Sequence, residues 1–167
     1  MSPTTIFSPA ATPARWISEL STLIFAVTAA IFVVVFTLLA YALIKYRARR
    51  ADDLREPPQV YGSTQIELAW TIIPILIVIV LFLASARVIA STQAAPPQNA
   101  LEVTVVGHQF WWEFRYPGLG VVTANELHVP VSKGAQRTPT LLRLESADTV
   151  HSFWVPRLSG KTDLIPN

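Results

Sequence analysis

Three groups of side chains have types and spacings that could do chemistry. The first is His151, in the stretch Asp148-Thr149-Val150-His151-Ser152-Phe153-Trp154. An imidazole at the end of an apolar strand, followed by aromatics, suits a metal ligand backed by a hydrophobic shell. It equally suits an ordinary structural histidine. No thiol or thioether is at hand to join it, because the chain has no cysteine and its one methionine is Met1. His108 and His128 are the other imidazoles and read as structural or exposed. The second group is Glu67, directly ahead of a long apolar run. A carboxylate at the edge of hydrocarbon is costly and marks proton or ion paths. It is also the acid that the first turn of a helix favours. The third group is the aromatic stretch Phe110, Trp111, Trp112, Phe114 and Tyr116. Alternation over residues 109–116 turns Phe110, Trp112, Phe114 and Tyr116 to one face and Trp111, Glu113 and Arg115 to the other. An outward Trp111 is the kind of residue that docks a partner.

The elements that position these groups follow from where the charges are. Of 167 residues only 14% are charged, against about 25% in an ordinary soluble domain, and 51% are hydrophobic. No charge falls in residues 20–44 or 68–86. At about 1.5 Å per residue the first run exceeds the ~30 Å hydrocarbon core, and the second spans it with little tilt. Two membrane helices are therefore expected, over residues 20–44 and 67–90, with Pro74 opening or kinking the early turns of the second. Residues 45–66 carry the basic side chains Lys45, Arg47, Arg49, Arg50 and Arg55, whereas Arg15 is the one basic side chain of residues 1–19. Short basic loops stay in the cytoplasm, so the loop is placed inside, with residues 1–19 and everything after the second helix outside. Trp16, Tyr41, Tyr46 and Trp70 fall near the span ends, as interfacial aromatics do. The first span lacks a basic leader and reads as retained rather than cleaved.

Residues 91–100 form a polar, Pro-containing linker. Beyond it, residues 101–106, 109–116, 126–129, 140–145 and 150–155 are strand candidates, with a turn at Pro117, Gly118 and Gly120. Short strands with turn signals between them predict an all-β sandwich or barrel, here thin and open-edged. Residues 101–167 carry six acidic and six basic side chains, which leaves no basic stripe for nucleic acid.

In this order the motifs resemble one family, from about Trp16 onward. The chain is similar to subunit II of the haem–copper terminal oxidases, the cytochrome c oxidases. Three blocks carry the resemblance: residues 65–74, residues 107–116, and residues 151–156 with 160–166. The resemblance implies a membrane hairpin followed by a cupredoxin-like β-sandwich on the outer face of a bacterial plasma membrane or equivalent respiratory membrane. It implies a dinuclear copper centre taking electrons from cytochrome c and passing them to haem in subunit I, where oxygen is reduced and protons are moved. On that likeness His151 matches a copper ligand, and Glu67 matches the carboxylate at the mouth of a proton path into subunit I. Phe110, Trp111 and Trp112 match the stretch that receives electrons. Lys161 and Asp163 match residues that face subunit I near the haem propionates.

Two departures accompany the likeness. The family's electron-receiving tryptophan falls at Phe110, and the Cys-x-x-x-Cys loop with its following His and Met is not in this sequence. The copper site is therefore expected to be incomplete in this chain, and the chain to be the front part of a longer subunit or a truncated product. The copper-free subunit II of quinol oxidases is the related alternative. A non-catalytic membrane-anchored sensor or assembly module is the unrelated one.

Overall fold

The structure is a computed structural model that describes residues 5–47, 59, 61–132 and 138–166. Arg49, Arg50 and Arg55 of the basic loop lie outside the described residues. Two units are described separately, one holding residues 18–89 and the other residues 1–17 with 90–167.

Two helices dominate the first unit: α1, Thr12–Lys45, and α2, Thr64–Thr92. Each contains one of the charge-free runs, and both are long and apolar enough to cross a membrane. Neither apolar stretch is buried by the protein, so Leu, Ile, Val and Phe side chains stand exposed along both helices. In water such a surface would be untenable, whereas in lipid or against another membrane subunit it is the stable arrangement. At the end of α1, Lys45 sits where the helix dipole favours a cation. Its Nζ donates to the Tyr41 hydroxyl at 2.5 Å and lies 5.0 Å from the Tyr41 ring centre. The helix α2 continues through Pro74, whose missing N–H leaves one carbonyl of its early turns without an intrahelical donor.

Among the described residues the second unit is a β-domain of six strands: β1 Leu101–His108, β2 Trp111–Tyr116, β3 Val121–Ala124, β4 Thr140–Ser146, β5 His151–Phe153 and β6 Thr162–Leu164. Four strands form a mixed sheet in the order β3-β2-β1-β4, with β1 and β4 parallel. The other two form an antiparallel pair, and among the described residues the strands close no barrel. This open two-sheet arrangement is consistent with a partial cupredoxin-like sandwich. Its core is Val103 and Val105 of β1 with Phe114 and Tyr116 of β2, covered by Trp112, Leu142, Leu144 and Phe153. Truncating Phe114 to Ala would cost about 3–5 kcal/mol, the usual loss for a buried aromatic.

Three strand expectations need correcting. Residues 109–110 are not strand but the two-residue loop between β1 and β2, with His108 paired to Trp111 across it. Residues 126–129 form no strand. Tyr116 Oη accepts from the His128 N–H at 2.8 Å and the Glu126 carbonyl accepts from Thr123 Oγ at 2.7 Å. Side chains thus take these backbone groups, and β3 pairs with β2 in place of the expected strand. The last candidate shrinks to His151–Phe153 and pairs with β6.

The segment leading into α1 packs with this β-domain. The Arg157 carbonyl accepts from the Ala10 and Ala11 N–H groups at 2.8 and 3.2 Å, and Arg157 Nε donates to the Ser8 carbonyl at 2.9 Å. Those are donors just ahead of a helix start, which no intrahelical carbonyl can satisfy.

Candidate functional site

The β1–β2 hairpin and the short β5–β6 pair build the site. His151 opens β5 and lies over β1, where Gly107 makes room for it. A Cβ on Gly107 would stand 2.8 Å from the imidazole ring. The edge of the ring meets Trp112, with centroids 5.8 Å apart, and Trp112 in turn meets Phe153 at 5.3 Å. Only 15% of the His151 side chain remains accessible.

Its Nε2 lies 2.6 Å from Oδ1 of Asp148 in the turn ahead of β5. Asp148 also accepts from the Thr149 N–H at 2.6 Å and the Gln109 N–H at 2.7 Å. The His151 hydrogen bond, helped by these two N–H groups, holds the Asp148 pKa down to about 2 against the opposing effect of desolvation. A carboxylate on one ring nitrogen fixes the ring and leaves Nδ1 as the ligating atom, the usual arrangement behind a metal-bound histidine. His151 therefore fits a metal ligand. Among the described residues no group of three or more His, Cys, Asp or Glu side chains could hold a metal ion, so His151 fits as one ligand of a set the described residues do not complete.

The expected electron-receiving residues separate onto different surfaces. Trp112 points inward against His151. Phe110 is 95% exposed on the hairpin loop, and Trp111 is 38% exposed on the opposite face from Trp112. Trp111 stacks on His108, whose Nε2 lies 2.9 Å from Glu113, and Glu113 accepts from Arg115 Nε at 2.6 Å. The Arg115 hydrogen bond, with a lesser one from His108, lowers the Glu113 pKa despite desolvation.

Lys161 lies just ahead of β6 and Asp163 within it, both exposed, while Leu164 of the same strand is buried. Asp163 accepts from Ser152 Oγ at 2.5 Å, next to His151 in the chain. Lys161 borders a cleft of about 500 Å³ shared with Trp112, Phe114, Leu127, Phe153 and Trp154.

Glu67 belongs to the helical unit and sits in the first turn of α2. The Glu67 N–H donates to the Ser63 carbonyl at 2.9 Å, and the Glu67 carbonyl accepts from Thr71 Oγ at 2.9 Å. The carboxylate folds back over Gly62, where any Cβ would meet Oε1.

Sequence reasoning passed over Asp148, Gly107 and Glu113. The Asp-x-x-His spacing ahead of a strand was a usable signal for Asp148. Gly107 needed the packing of β5 over β1, and Glu113 needed the register of the hairpin.

The fold so defined is two helices able to span a membrane with an appended, open β-domain, and the comparisons give its family. Residues 2–88 match the family described as cytochrome C oxidase subunit II, transmembrane domain. The chain belongs to the cytochrome c oxidase subunit II family. It is 34% identical to cytochrome c oxidase subunit 2 of Alkalihalophilus pseudofirmus, over 97% of this chain and 47% of that protein. With cytochrome c oxidase subunit 2 of Bacillus subtilis the identity is 34%, over 88% and 41%. With quinol oxidase subunit 2 of the same organism it is 37%, over 77% and 40%. The chain thus spans less than half the length of each of these relatives.

Proposed function

We propose that this chain is the membrane anchor and electron-receiving region of a subunit II that passes electrons from cytochrome c to haem in subunit I, coupled to oxygen reduction and proton translocation. The observation that carries the reading is the His151–Asp148 pair seated against Trp112. A paired, nearly buried imidazole with one free nitrogen is what a copper ligand requires, and a copper-free quinol oxidase subunit has no need of it. Copper bound there supplies a one-electron acceptor. The remaining work falls to the chain's own residues. Asp148 orients His151, Trp112 and Phe153 exclude water from it, and Phe110 and Trp111 present an aromatic surface to the donor at the same hairpin.

In this reading the β-domain lies on the outer face. Two spans return the chain to the side on which it began, and the bonds from Arg157 to Ser8, Ala10 and Ala11 support that topology. Glu67 then lies at the cytoplasmic end of α2, where it takes up protons for a path into subunit I. Lys161 and Asp163, exposed beside β6, contact subunit I near its haem propionates.

Quinol oxidase subunit II is the second reading, favoured by the relatives that carry that name. The test is to isolate the complex from membranes and offer it reduced cytochrome c and, separately, a quinol. Oxidation of cytochrome c without oxidation of quinol is expected. Oxidation of quinol alone would overturn the proposal.

A further inference from the structure

We propose that His108 is a positioning residue for Trp111, holding the exposed indole in the one orientation that takes an electron from a docked donor; this rests on the electron-receiving reading of the hairpin. Trp111 and His108 face each other across the first pair of the β1–β2 ladder, so their side chains emerge on the same face. Their rings are 4.3 Å apart and 6° from parallel. Glu113, two residues along β2 on that face, lies 2.9 Å from His108 Nε2. Arg115, two residues further, donates to the other Glu113 oxygen at 2.6 Å. Glu113 is only 14% exposed and the His108 side chain 23%.

Each group in this row is therefore fixed by the next, and the row ends at a surface indole. An indole free on the surface samples several rotamers. Stacked on an imidazole that is itself tied down, it keeps one. The arrangement is separate from the inward cluster of Trp112, His151 and Asp148, because β2 sends alternate side chains to opposite faces. Transfer from a docked donor is sensitive to small displacements of the receiving group, as any positioned reaction is. His108 gains and loses no electron in this scheme; it only fixes the plane of its neighbour.

The experiment uses the assembled oxidase with the full-length subunit and pre-bound, photoreduced cytochrome c. The rate of the first electron transfer and the dissociation constant of the complex are read together. In His108→Ala the rate is expected to fall about tenfold while the dissociation constant stays within about twofold. His108→Phe restores an aromatic plane without the bond to Glu113, and most of the rate should return. An unchanged rate in His108→Ala beside a slowed Trp111→Ala would overturn the positioning role and leave the electron-receiving reading standing. Unchanged rates in both would overturn that reading as well. Equal slowing in His108→Ala and His108→Phe would also overturn the positioning role, since the stack would then not be what matters. Should His108→Ala fail to assemble, His108→Gln takes its place, keeping a bond to Glu113 but no ring; a slowed rate supports the proposal and an unchanged one overturns it.

Discussion

The imidazole of His151 rests on the bare α-carbon of Gly107, so a side chain at that point of β1 would collide with the ring unless one of them shifted. A Cβ there would come within 2.8 Å of two ring atoms that Asp148 and Trp112 hold in place. Gly107→Ala should therefore push the ring off Asp148 and destabilise the β-domain by about 1–3 kcal/mol, the usual range for overpacking. Thermal unfolding of the solubilised subunit would show it. An unshifted midpoint would mean that His151 has room to move.

Gly62 and Glu67 stand in a similar relation with a different consequence. The atom that a Cβ on Gly62 would meet is the far end of a flexible side chain, which can swing away cheaply. Gly62→Ala should leave assembly intact and redirect the Glu67 carboxylate. If Glu67 loads a proton path, Glu67→Ala slows turnover by about tenfold or more and Gly62→Ala gives a smaller loss. Oxygen consumption of the assembled complex measures both, and full activity in Glu67→Ala would remove the residue from the path.

Glu113 links the β-domain's stability to pH. Its folded pKa lies below the ordinary value of 4.5, chiefly through Arg115 and then His108. A depressed carboxylate stabilises the fold above its unfolded pKa, and that contribution disappears as pH falls through the folded pKa. The difference in unfolding midpoint between the native subunit and Glu113→Gln should be greatest above pH 4.5 and vanish in stronger acid. A difference independent of pH would mean that the ion pair contributes nothing.

The helices were legible because lipid demands unbroken apolar runs, and residues 20–44 and 68–86 carry no charge. The inward face of β2 was legible as well, since Trp112, Phe114 and Tyr116 alternate with polar partners. By contrast β3 is mostly exposed, and β6 is polar apart from Leu164. Pairing rather than side-chain pattern makes those strands, so nothing local announced them. Phe110 read as the inward start of a strand because it matches the alternation, but it lies in the hairpin loop, one residue before β2 begins, and is left exposed. The row from Arg115 to Trp111 depends on cross-strand register, which a single sequence does not reveal. His151 stood out by its aromatic neighbours, whereas the features that make it a credible ligand, Asp148 and Gly107, emerged only from packing.

The central claim is that His151 is a copper ligand in an electron-receiving subunit. Its most direct test is the copper content and optical spectrum of the full-length subunit isolated from membranes, native and His151→Ala side by side. The account predicts a dinuclear copper signal in the native subunit that is lost or strongly altered in the variant. A native subunit without copper, or a variant with an unchanged copper spectrum, would contradict it.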